Sequence, residues 1–234
     1  MFELLSRLNL DIPSDKIGLL ENFMLLFKEY SGKINLVSRH DLEYLFEKHI
    51  YDSLAFNLFY LKYFTCGEKH MKLLDIGSGG GFPAVPLAAV YNNIDITAAD
   101  SINKKINFIK TARNLFNLKN LYPLCARAEE LPFGADFDIC TCRAVAKLNI
   151  ILEYTIPYMK QGAFFAAYKS IKADEEIQNA KNALQVLNAE VIDKIEYTLP
   201  LEEQTKRILI IIRKNGRTPK EYPRRNGAAL KNPL

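Results

Sequence analysis

The chain has 234 residues, 49% apolar and 25% charged, which fits one sizeable core with a small appendage. No apolar run approaches the roughly 18–20 residues of a membrane span, and the longest, Val85 to Val90, is interrupted by Pro86. The net charge of +4 is uneven: residues 213–234 carry seven Lys/Arg and one acid, while the remainder sums to about −2, so one edge either meets a polyanion or is a solvated basic end.

The first seventy residues read as helical. Ser14 follows Pro13 and is placed to cap a helix on which Ile17, Leu20, Phe23, Met24, Phe27 and Tyr30 form one apolar face, broken at Gly32. A second stripe runs through Leu42, Leu45, Phe46, His49, Ile50 and Leu54, with Asp41 at its start. His49 and Asp52 share one face of it, either as a buried pair or as part of a cleft.

The pattern changes at Met71. Lys72–Ile76, Asp95–Ala99, Leu121–Cys125, Phe137–Cys142 and Ala163–Tyr168 read as short buried strands. Helical periods lie between them: one through Ile102, Ile106 and Ile109, another through Leu148, Leu152, Ile156 and Met159, and a polar one from Asp174 to Asn188. Val191–Thr198 and Arg207–Ile212 are two further strands joined by a polar loop at Pro200–Thr205. This alternation predicts an α/β fold: a mostly parallel sheet covered by helices, with an antiparallel edge hairpin and an N-terminal helical extension. The expected division is 1–70 extension, 71–213 core and 214–234 basic tail.

The first core strand runs into Asp75-Ile76-Gly77-Ser78-Gly79-Gly80-Gly81-Phe82-Pro83. Glycines at a strand-to-helix turn let the backbone approach a ligand at the carboxyl end of a parallel sheet. The dinucleotide pattern G-x-G-x-x-G fails in both registers, because Phe82 and Ala84 stand where glycine is required. The spacing Asp75, Gly77, Gly79, Gly81 instead resembles the first motif of class I (Rossmann-like) S-adenosylmethionine (SAM) methyltransferases. Asp100 ends the second strand, where an acid accepts from ribose hydroxyls or caps the next helix. Ala128-Glu129 follows the third strand, at an adenine contact or on a surface helix.

Cys140-Thr141-Cys142-Arg143 closes the fourth strand. The Asn/Asp-Pro-Pro-aromatic tetrad of amine methylation is absent. Cys142 is either a nucleophile of the kind that activates a pyrimidine carbon or a small buried strand residue. Arg143 is placed to bind a cofactor carboxylate, a substrate phosphate or a neighbouring acid. The four cysteines, Cys66, Cys125, Cys140 and Cys142, have no C-x-x-C spacing and form no metal pattern with the three histidines, so reduced thiols in a cytoplasmic protein are expected.

The glycine loop, Lys48 to Leu54, Arg127-Ala128-Glu129-Glu130, Arg143-Ala144-Val145-Ala146, Tyr222-Pro223-Arg224-Arg225 and Lys231-Asn232-Pro233-Leu234 together resemble the RsmG (GidB) family from about Phe23 onward. The resemblance implies methyl transfer from SAM to N7 of guanine-527, in the helix 18 loop of 16S rRNA in the small (30S) ribosomal subunit. It implies cofactor contacts at Gly77, Phe82, Ala128, Glu129 and Arg143, to which Asp75, Gly79 and Asp100 are added from the motif reading. Lys220, Arg224, Arg225 and Lys231 are the expected RNA cations, and a monomer is expected. Competing readings are a methyltransferase for a small molecule or protein, opposed by the basic tail, and an inactive RNA-binding assembly factor, opposed by the intact glycine loop. The family often has serine where Cys142 stands, which weakens a catalytic role for that thiol.

Overall fold

A computed structural model describes the protein except for Met1, Asn35, Val37, residues 65–69 and 202–204, and the side chains of Phe2 and Arg39. Cys66 and part of the Pro200–Thr205 connection therefore lie outside the described residues.

Seven strands form one sheet: β1 (Met71–Ile76), β2 (Ile94–Asp100), β3 (Leu121–Cys125), β4 (Phe137–Arg143), β5 (Met159–Lys169), β6 (Ala189–Thr198) and β7 (Lys206–Lys214). Their order is β3-β2-β1-β4-β5-β7-β6. The first five are parallel, whereas β7 runs antiparallel to both β5 and β6. Every strand read from the sequence is present, most of them a residue or more longer. The chain leaves β1 toward β2 and β3 on one side and returns to β4 and β5 on the other. The crevice at the carboxyl ends of β1 and β4 is the switch point where open α/β sheets bind ligands.

The helices are α1 (Phe2–Ser6), α2 (Ser14–Ser31), α3 (Arg39–Glu43), α4 (Asp52–Leu54), α5 (Phe56–Tyr63), α6 (Ala84–Val90), α7 (Asn103–Leu115), α8 (Leu148–Thr155), α9 (Ala173–Asn179), α10 (Lys181–Val186) and α11 (Ala228–Lys231). Several expectations need correction. Ser14 does not cap α2; Pro13 holds that place, and its carbonyl accepts from Lys16 N and Ile17 N. The second N-terminal stripe is not one helix. Ser38 caps α3 by accepting from Asp41 N at 3.2 Å, and a wide π turn over Phe46–Tyr51 then resets the register before α4. The polar segment from Asp174 breaks at Ala180 into α9 and α10.

The N-terminal extension is not a separate layer. Phe23 and Phe27 of α2 are fully buried, with ring centroids 5.5 and 5.1 Å from Phe82. Each such ring contributes roughly 1.5–3 kcal/mol by leaving water. The boundary drawn before the basic tail also falls inside β7. Lys214 is buried, and its ammonium donates to the carbonyls of Ile156 (2.9 Å) and Met159 (2.8 Å). Beyond it the chain packs back on the core, with Ala229 fully buried.

Candidate active site

The glycine loop turns out of β1 with φ of +72° at Gly77, +53° at Gly79 and +91° at Gly81, backbone that L residues rarely adopt. Its glycines also answer to the protein's own packing. A Cβ on Gly80 would meet Phe27 Cε2 at 2.5 Å, and one on Gly77 would run into Val145 Cγ2. A side chain at Gly77 would thus displace Val145 first, as well as narrowing any ligand's approach. Asp100 fastens the loop: its Oδ2 accepts from Gly79 N at 2.9 Å and its Oδ1 from Ile102 N at 2.8 Å, just ahead of α7.

Gly77, Asp100, Ala128 and Glu129 come together along a cleft of about 360 Å3. Glu129 is buried rather than a surface residue, and Tyr158 Oη donates to the Ala128 carbonyl at 2.7 Å. Three exposed apolar side chains, Ile102, Val145 and Leu230, also line this cleft. Asp75 lies beneath the loop, fully buried, with Oδ1 accepting from Thr141 Oγ1 at 2.9 Å and Oδ2 without a partner among the described residues. Burial pushes its carboxyl up to about 7.

Arg143 does not line this cleft. It lines a neighbouring cavity of about 620 Å3, which shares Ala144 and Val145 with the first. Ala144 has φ of +56°, so the chain leaves β4 through a strained left-handed residue. Arg143 Nη1 donates to Asp52 Oδ2 (2.9 Å) and the Lys48 carbonyl (2.7 Å), Nη2 meets His49 Nδ1 at 2.6 Å, and the guanidinium sits 5.4 Å from the Phe82 ring centroid. Asp52 Oδ1 in turn accepts from Tyr197 Oη at 2.6 Å. The side chains of His49 and Asp52 are thus not bonded to each other; each is buried against Arg143. Burial, together with the Arg143 charge, holds His49 down at about 3, so it stays neutral and its Nδ1 accepts.

Phe82 lines neither cavity; its ring is buried between Phe27 and His49. Cys140 and Cys142 are buried and their thiols are pushed well above the ordinary cysteine value, which does not suit a nucleophile.

The basic residues of the tail divide. Lys220, Arg225 and Lys231 are exposed. Arg224 is not a free cation: Nε donates to Glu153 Oε1 (2.9 Å), Nη2 to Glu153 Oε2 (2.6 Å), and Nη2 also to the Asn232 carbonyl (3.0 Å). Glu153 interrupts the apolar run of α8, and an acid in such a run is the sequence signal for a buried ion pair. Lys169, Glu176 and Arg207 line the larger cavity and carry no local signal that places them there; only folding brings β5, α9 and β7 to one place. Among the described residues no group of three His, Cys, Asp or Glu side chains could hold a metal ion, and no helix is long and apolar enough to cross a membrane.

The family described as rRNA small subunit methyltransferase G (GidB) matches residues 16–204. The chain is 37% identical to the ribosomal RNA small subunit methyltransferase G of Streptococcus gordonii and to that of Streptococcus pneumoniae R6, in each case over all of this chain and 98% of the relative. Its fold is similar to that of TYW2 from M. jannaschii, solved in complex with AdoMet (TM-score 0.52, 15% identity, 63% of this chain and 69% of that one), and of YcgJ from Bacillus subtilis (TM-score 0.50, 14% identity, 64% and 94%). The chain therefore belongs to the rRNA small subunit methyltransferase G (GidB) family.

Proposed function

We propose that this protein transfers a methyl group from SAM to N7 of guanine-527 in the helix 18 loop of 16S rRNA, acting as a cytoplasmic monomer on the small ribosomal subunit. Family membership supports the rRNA methyltransferase class, and the pairing of a narrow cleft with a wider cavity across Val145 supports the finer reading.

The residues present fit the cofactor. The left-handed glycines keep the loop thin, the exposed Ile102 and Leu230 offer apolar surface to a base, and the buried Asp75 Oδ2 is an acceptor in want of a donor. Gly77, Asp100, Ala128 and Glu129 would hold SAM along this cleft, with Gly79 and the buried Asp75 behind its lining. Phe82 would contribute by keeping Arg143 and His49 in place. Arg143, already held by Asp52, would present a fixed positive charge beside the methionine end. When bound, the cofactor supplies an electrophilic methyl on a sulfonium.

Guanine N7 carries a lone pair and no proton. Its attack forms the N7–carbon bond as the sulfur–carbon bond breaks, and positive charge passes from sulfur to the base. No proton has to leave, so no general base is required, in keeping with a His49 that stays neutral and locked to Arg143. What the chain contributes is in-line positioning and a preorganised field. N7 lies in the deep groove of A-form RNA, so the nucleotide must be unpaired or turned out to reach the site.

The test is transfer of labelled methyl from SAM to small-subunit particles, naked 16S rRNA and tRNA, followed by mapping of the modified base. Label at one guanine N7 of 16S rRNA is expected. Label confined to tRNA, or at a pyrimidine carbon, would overturn the reading.

A further inference from the structure

We infer that the larger cavity receives the extruded guanine and that Glu176 reads its Watson–Crick edge. This rests on the guanine methylation proposed above. The cavity's volume, about 620 Å3, is within the roughly 300–1,000 Å3 of small-ligand sites. It adjoins the Gly77 cleft, since Ala144 and Val145 line both spaces.

Glu176 lines this cavity on a fixed mount. Its Oε2 accepts from Leu148 N at 2.8 Å and from Lys169 Nζ at 2.6 Å, and both side chains of the ion pair are largely buried. Its Oε1 has no partner among the described residues. Lys169 Nζ also donates to the Ala146 carbonyl at 2.8 Å. The carboxylate and the strained turn after Arg143 are therefore tied to one ammonium, which fixes the reading group relative to the cofactor cleft.

A carboxylate oxygen in that position accepts from guanine N1–H and the N2 amine. Adenine offers a lone pair at N1 and would be repelled. N7 lies on another edge of the purine, so holding N1 and N2 leaves it uncovered toward the methyl. A site built around a hydrogen bond to substrate discriminates strongly against an analogue that lacks the donor.

The experiment compares wild type, Glu176→Gln and Glu176→Ala on small-subunit particles reconstituted with either guanine or inosine, which lacks only the N2 amine, at the modified position. SAM affinity is measured alongside by calorimetry. Wild type is expected to lose about tenfold in kcat/KM on inosine. Both variants should fall at least tenfold on guanine, discriminate less than threefold between the two bases, and bind SAM within twofold of wild type. An unchanged guanine-to-inosine ratio in the variants would overturn the inference. So would a parallel loss of SAM binding, since Glu176 would then support the loop instead of reading the base. Failure of wild type to modify any guanine N7 would be visible separately, and would remove the proposed function and this inference together.

Discussion

Arg224 closes a two-point ion pair on Glu153, whose side chain is completely buried in α8. The Arg224 backbone N–H donates to the same Oε1 at 2.9 Å, so three donors converge on one interior carboxylate. The C-terminal segment is thereby pinned to the core, and through α11 it brings Leu230 to the rim of the Gly77 cleft. Removing the guanidinium leaves a buried charge with one backbone partner, a loss of roughly 3–5 kcal/mol. Arg224→Ala should lower the urea midpoint accordingly at unchanged m-value, whereas Glu153→Leu/Arg224→Leu should recover much of the loss. A stability change under 1 kcal/mol in the single variant would show that the pair does not hold the segment.

Lys220, Arg225 and Lys231 remain as solvent-facing cations. Taking one cation away from an RNA phosphate lowers the slope of log K against log salt by about 0.7–0.9. The triple alanine variant should therefore bind 16S rRNA more weakly and with a slope flatter by about 2, while its thermal midpoint stays within about 2 °C of wild type. A steep, unaltered salt dependence would move the RNA-binding surface to another face.

Asp75 is buried with its carboxyl raised to about 7. In the unfolded chain it titrates near the ordinary value of about 4. The folded state therefore binds the extra proton between these two values. Stability from this group is fully present below about pH 4 and is lost as pH rises through 7. Asp75→Asn keeps an acceptor for Thr141 and carries no charge. It should be more stable than wild type at pH 8, by on the order of 2–4 kcal/mol, with the gain shrinking toward pH 4. A gain independent of pH would contradict the assignment. The same variant is expected to bind SAM less tightly, because the unpartnered carboxylate oxygen is gone.

Gly80 faces the ring of Phe27, which is fully buried against Phe82 and Phe108. Gly80→Ala should cost about 1–3 kcal/mol by overpacking a rigid ring. Phe27→Leu in the same chain should relieve part of that cost, giving a coupling energy above 0.5 kcal/mol in a double-mutant cycle. Strict additivity would show that the two residues do not touch.

The strands are legible because β-sheet cores write themselves as short apolar runs, and the glycine loop because its backbone demands a particular residue type. The mostly parallel sheet, the edge hairpin and the positions of Asp75, Gly77 and Asp100 at strand ends follow from those two local signals. The π turn at Phe46–Tyr51 has no such signal, since its apolar stripe is indistinguishable in sequence from that of a plain helix. The tail reads as uniformly solvent-facing because charge says nothing about which cation has a buried acid waiting for it.

By itself, then, the sequence determined the fold class, the glycine loop and, through its motifs, the family. These depend on periodicity and on residues close together in the chain. Only the tertiary structure decided that Arg143 is bound by Asp52, His49 and the Lys48 carbonyl, that Glu153 claims Arg224, and that Lys169 joins Glu176 to the turn beyond β4. Each of these joins charged or polar groups on different elements. Its strength comes from burial and from angstrom-scale geometry, and neither exists before the elements pack.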